Sequence, residues 1–101
     1  MFELLLPNLK ACVFGIACKY EYKHRMINCI EELSELQKDL CKVLRKEEGA
    51  YPNINSTLLK IRIIEEIADV YITIEEIKYL NKIKDDEIFK IMKEKIDRGV
   101  I

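Results

Sequence analysis

From Thr57 to Leu80 the chain runs for more than twenty residues without a glycine or a proline. Strands typically stop near five or six residues, so an unbroken stretch of this length is a helix. The β-branched residues between Ile61 and Ile74 favour a strand on propensity alone, and length overrules them. Only three Gly and two Pro punctuate the whole sequence, which disfavours a turn-rich all-β fold. At 100° per residue, Ile63, Ile64, Ile67, Val70, Tyr71, Ile74 and Ile77 form one broad apolar face. Ile61, Ala68, Ile72, Tyr79 and Ile83 form a second sector roughly opposite. Glu66, Asp69, Thr73 and Glu76 occupy the strip between them. A helix apolar nearly all round is expected to be buried.

The neighbouring segments follow the same logic. Met26, Ile27, Ile30, Leu33, Leu36, Leu40, Val43 and Leu44 recur at three- and four-residue steps, predicting an amphipathic helix over about 21–46. Its opposite side, expected to face solvent, carries Glu31, Glu32, Glu35, Lys38, Asp39 and Lys42. Residues 47–57 hold Gly49, Pro52 and two Asn and read as a loop, with Asn55 or Ser56 as the next N-cap. Asn81 to Asp85 is a short connection with Asp85 as N-cap. A last helix covers about 86–98, and Gly99 stands where a C-terminal cap is expected. Before the core, the apolar run Phe2–Leu6 stops at Pro7, and Asn8 caps a short helix to about Tyr20. The expectation is one all-α domain over 1–101. It is a bundle of three long helices in residues 21–98, with a short helix in the N-terminal segment 1–20.

Charge and cysteine usage remove several function classes. Net charge is −1 with acids and bases interspersed, so a nucleic-acid partner has no basic block to bind. Cys12, Cys18, Cys29 and Cys41 contain no Cys-x-x-Cys pair, and His24 is the only histidine. That spacing does not make a zinc site and fits free thiols in a reducing, cytoplasmic setting. The apolar run at 11–18 is too short to span a bilayer, so no membrane association is expected. Glu3 and the lack of an early Lys or Arg do not read as a signal peptide.

What the helices carry is acid. Glu31-Glu32-Leu33-Ser34-Glu35 and Glu65-Glu66-Ile67-Ala68-Asp69 each set carboxylates three residues apart, on one helical face. If the two helices pack together, Glu32, Glu35, Glu66 and Asp69 converge. At ~4 Å each like-charge pair costs about 4 kcal/mol at an effective dielectric of 20. Glu31, Glu32 and Glu35 alone would read as a solvated face, since Lys38 and Lys42 follow at helical spacing. On the helix from Thr57 to Leu80, Lys60, Arg62 and Lys78 all lie off the acidic strip, so a bound cation is the economical partner. All-oxygen ligation selects Mg²⁺, with Mn²⁺ as a substitute. A di-iron bundle needs Glu-x-x-His, which is absent here. Mg²⁺ completes its shell with water and substrate phosphates, so a polyphosphate substrate follows.

These phrases resemble the all-α nucleoside triphosphate pyrophosphatases, a superfamily marked by Glu-Glu-x-x-Glu on one helix and Glu-x-x-Asp on the next. The wording IEELSELQKDLCKVLR and IEEIADVYITIEEIKYL is most similar to the short, phage-type MazG-like branch, over about 20–98. The resemblance implies that Glu32, Glu35, Glu66 and Asp69 ligate Mg²⁺, with Glu31 orienting the attacking water and Glu31 and Glu35 counted as catalytic. It also implies phosphate contacts from Lys95 and Arg98. Lys93 stands where longer MazG-type sequences carry Asn. The expected activity is hydrolysis of a (deoxy)nucleoside triphosphate to monophosphate and pyrophosphate. The rivals are a phosphoribosyl-ATP pyrophosphohydrolase and a non-catalytic helical interaction module. Two apolar sectors on one helix, with one long partner helix to cover them, predict a homodimer or a dimer of dimers.

Overall fold

The computed structural model describes residues 7–49 and 55–99. It holds four helices: α1 (Pro7–Lys19), α2 (Tyr22–Glu47), α3 (Ser56–Leu80) and α4 (Asp85–Asp97). No strand occurs among the described residues, so the all-α expectation is met. The Phe2–Leu6 run and residues 50–54 of the loop lie outside the described residues.

Local chemistry sets the helix ends. The Asn55 side-chain oxygen accepts from the Thr57 N–H at 2.9 Å and the Leu58 N–H at 3.1 Å, the expected N-cap of α3. Gly49 and Gly99 follow α2 and α4 with φ of +83° and +67°, a conformation that side chains resist. Two expected caps are displaced. Asn8 lies inside α1, one residue past its start. Asp85 is the first residue of α4 and not its cap, which is Lys84. The Asp85 carboxylate is drawn instead to the nearly buried ammonium of Lys78, which also donates to both oxygens of Glu75 at 2.9 and 3.0 Å. A buried cation needs counter-charge more than a helix end needs a cap.

α2 and α3 are the long pair, and their seam is not the one the apolar pattern predicts. α2 turns Arg25, Cys29, Glu32, Leu36, Asp39, Val43 and Lys46 inward, alternately four and three residues apart. α3 answers with Leu59, Ile63, Glu66, Val70, Thr73, Ile77 and Leu80 at the same rhythm. This is the 3.5-residue spacing of two helices packed along a narrow stripe. Asp39, expected to face solvent, is fully buried. Ile30 and Leu44, expected in the core, are 62% and 60% exposed. The reason lies in the ion pairs described below, which hold α2 rotated toward its charged side.

α1 lies against the last turns of α3. Val13 and Ala17 are buried there, and the Phe14 ring stacks on Tyr79 with centroids 4.6 Å apart. The Cys18 thiol donates to the Tyr79 hydroxyl at 3.2 Å. Part of the second apolar sector of α3 is therefore covered within the chain. α4 has no buried residue and no extensive contact with the other helices. No helix among the described residues is long and apolar enough to cross a membrane.

Candidate metal centre

Four rungs cross the α2–α3 seam in one antiparallel register. Arg25 faces Glu76, with a guanidinium nitrogen 2.8 Å from a carboxylate oxygen, both side chains nearly buried. Fourteen residues further along α2, Asp39 faces Arg62 at 3.2 Å. Between these two ion pairs, the same register sets Glu32 opposite Asp69 and Glu35 opposite Glu66. The outer rungs attract and the inner rungs repel. The favourable pairs at the ends hold the unfavourable pairs in the middle.

Glu32, Glu66 and Asp69 each bring one carboxylate oxygen within 4.8 Å of the others. Glu32 and Glu66 are half-buried, and Asp69 is exposed. Glu35 is exposed and does not join that triad, yet its charge acts on both Glu32 and Glu66. Burial, then the charges of Asp69 and Glu66, hydrogen bonding with Asp69 and the charge of Glu35 push the Glu32 carboxyl above its ordinary value. Burial also raises Glu66, followed by the charges of Asp69, Asp39 and Glu35, with Arg62 pulling the other way. One oxygen of Glu66 is buried without a hydrogen bond, and so are both oxygens of Asp39, although Lys42 at 3.7 Å joins Arg62 around the latter. An all-oxygen donor set with an orphaned buried oxygen fits a hard divalent cation.

These shifts carry a sign. A carboxyl raised in the folded state holds its proton where the unfolded chain has lost it. Stability therefore falls as pH climbs from the ordinary value of 4.5 through the raised folded values, then levels. In chelator-containing buffer, melting temperature is expected to decline over that window, and Glu66→Gln is expected to flatten the decline. A melting temperature that rises equally in both proteins would contradict the electrostatic account.

The remaining sequence candidates stand apart. Glu31 is exposed on α2 beside the cluster. Lys95 and Arg98 are exposed at the far end of α4, which packs extensively on neither α2 nor α3. Two residues near the cluster stand where the sequence reading did not put them: Asp39, expected to face solvent, is buried, and Arg62, expected off the acidic strip, pairs with Asp39 and acts on Glu66. Asp39 lies one turn beyond Glu35, and Arg62 one turn before Glu66. Helical spacing alone marked both as neighbours of the acidic phrases, but the rotation of α2 that joins them does not show in hydropathy. Compared with known protein families, with curated proteins and with solved structures, the chain matches none.

Proposed function

We propose that the chain is a Mg²⁺-dependent hydrolase of nucleoside triphosphates, MazG-like in kind, releasing pyrophosphate. The observation that carries this reading is the convergence of Glu32, Glu66 and Asp69, with Glu35 on the adjoining rung. These four carboxylates would hold the ion, and Mn²⁺ suits the same donors. When bound, Mg²⁺ supplies charge neutralisation and activation of water toward a phosphoanhydride.

The chain's own residues have separate tasks in this scheme. Glu31, exposed at the edge of the cluster, accepts the proton from the attacking water and orients it. Arg62 is half-exposed, one turn from Glu66, and already acts on that carboxylate. It is the basic group beside the cluster and meets the phosphates before Lys95 or Arg98 can. Lys95 and Arg98, exposed on α4, are the further candidates for phosphate contact.

The direct test is thermal. An ion that binds only the folded arrangement, at a hundred times its Kd, adds about 2.7 kcal/mol. At roughly 4–8 °C per kcal/mol for a domain of this size, millimolar Mg²⁺ is expected to raise the melting temperature by about 10–20 °C. No shift with either Mg²⁺ or Mn²⁺ would remove the metal centre and leave the helical interaction module. Pyrophosphate release from a panel of ordinary and damaged nucleotides then identifies the substrate.

A further inference from the structure

Asp39 is fully buried, yet neither of its carboxylate oxygens accepts a hydrogen bond. An apolar residue of similar volume would fill the same space without that cost. What Asp39 has instead is two cations, one from each long helix. Arg62 of α3 brings a guanidinium nitrogen to 3.2 Å, and Lys42 of α2 brings its ammonium to 3.7 Å. Neither cation is sequestered, since the Arg62 side chain is 52% exposed and that of Lys42 35%. The acid is inside and the bases reach water. The place of the trio matters as much as its make-up. Arg62 precedes Glu66 by four residues, about 6 Å along the helix at 1.5 Å per residue. Lys42 follows Glu35 by seven residues, two turns on along the same face. At 100° per residue, the antiparallel register puts Lys42 and Arg62 on the side of the pair that carries Glu35 and Asp69. An Arg four residues from a Glu on one helix is placed to pair with it. Here the guanidinium crosses the seam to Asp39, and one oxygen of Glu66 is left without a hydrogen bond.

We propose that Asp39 is a positioning residue, holding Arg62 and Lys42 at the rim of the carboxylate cluster as a two-pronged anchor for the phosphate tail of the substrate. The assignment rests on the hydrolase reading given above. Arg62 spends one nitrogen on Asp39 and keeps the rest of its planar fork for phosphate oxygens. Lys42 adds a point charge that needs no particular approach. An ion among Glu32, Glu66 and Asp69 neutralises only part of the charge of a polyphosphate, and the remainder falls beside these two cations. Without Asp39 the carboxylate left to Arg62 is that of Glu66, on which its charge already acts. The fork would then turn into the cluster and away from the phosphates.

Calorimetry with inorganic tripolyphosphate in millimolar Mg²⁺ reads the anchor apart from nucleotide hydrolysis. Arg62→Gln and Lys42→Gln are each expected to weaken binding about tenfold or more, with the Mg²⁺-induced rise in melting temperature retained. Asp39→Asn is expected to weaken binding too. Combined with Arg62→Gln, it is expected to add little to the loss from Arg62→Gln alone, because one residue acts through the other. Fully additive losses would make Asp39 merely structural and overturn its positioning role. If Asp39→Asn fails to fold, Arg62→Gln and Lys42→Gln carry the test at their partly exposed positions. A wild-type protein that does not bind tripolyphosphate overturns the anchor, and so does unchanged binding in both single variants, whatever nucleotides the protein hydrolyses. Binding that depends on Arg62 and Lys42, in a protein that releases pyrophosphate from no nucleotide, supports the anchor and overturns the hydrolase reading alone.

Discussion

Glu66→Gln is expected to reduce pyrophosphate release by about a hundredfold or more while leaving the helical circular dichroism intact. Residues that merely support metal ligands already cost 10–100-fold when changed, so loss of a ligating carboxylate belongs at or above the top of that range. The fold should tolerate the change well. Glutamine keeps the volume, and in metal-free buffer it removes a charge that has Asp69, Asp39 and Glu35 for neighbours. Stability without metal is therefore expected to rise, and the Mg²⁺-induced gain in melting temperature to shrink. Glu35→Gln and Asp69→Asn are expected to behave alike. Near wild-type turnover in any of the three would mean that the residue holds no ion.

The largest effect on stability is expected at the opposite sign of charge. Arg25 and Glu76 form an ion pair with both side chains nearly buried, and the Arg25 guanidinium also lies 4.6 Å from the Tyr20 ring centroid. Arg25→Ala leaves the Glu76 carboxylate buried without its partner, a defect worth about 3–5 kcal/mol. For a domain of this size that is a fall of roughly 15 °C or more in melting temperature. The pair itself contributes far less than its breakage costs. Arg25→Leu with Glu76→Leu is therefore expected to recover most of the loss, and a double-mutant cycle measures the coupling directly. If Arg25→Ala alone lowered stability by under about 1 kcal/mol, the rung would not be holding the helices together.

Helix existence and most helix ends were legible because they depend on local chemistry. Asn55, Gly49 and Gly99 act on their own neighbours, and the lack of breakers from Thr57 to Leu80 needs no tertiary information. The acidic phrases were legible for the same reason: three-residue spacing fixes a shared face whatever the helix packs against. The rotation of α2 was not. Hydropathy reports which side chains avoid water, without saying whether the chain itself or another copy keeps them from it. The pattern Ile27, Ile30, Leu33, Leu40, Leu44 was therefore read as the core face, whereas α3 meets the neighbouring face of Arg25, Glu32 and Asp39. Arg25 and Glu75 went unremarked, and Lys78 was noted only as lying off the acidic strip, because nothing local marks a charge as buried. The four-three rhythm from Arg25 to Lys46 was the available signal, and it lies in the polar residues.

The ladder across the seam has a second solution. If α2 slid by one heptad against α3, Arg25 would come opposite Asp69, and Glu32 opposite Arg62. Both repulsive rungs would vanish, with Glu35 facing Leu59 and Glu66 facing Asn28. On charge alone the slipped alignment is the quieter one. The observed alignment prevails through the nearly buried Arg25–Glu76 pair and the packing of α1, joined closely to α2, on α3. The chain thus carries a conflict between charge and packing, placed at the one spot where a cation would resolve it. An ion seated among Glu32, Glu66 and Asp69 would act as a wedge in the registration of two helices, and its removal would bring the competing alignment closer in energy.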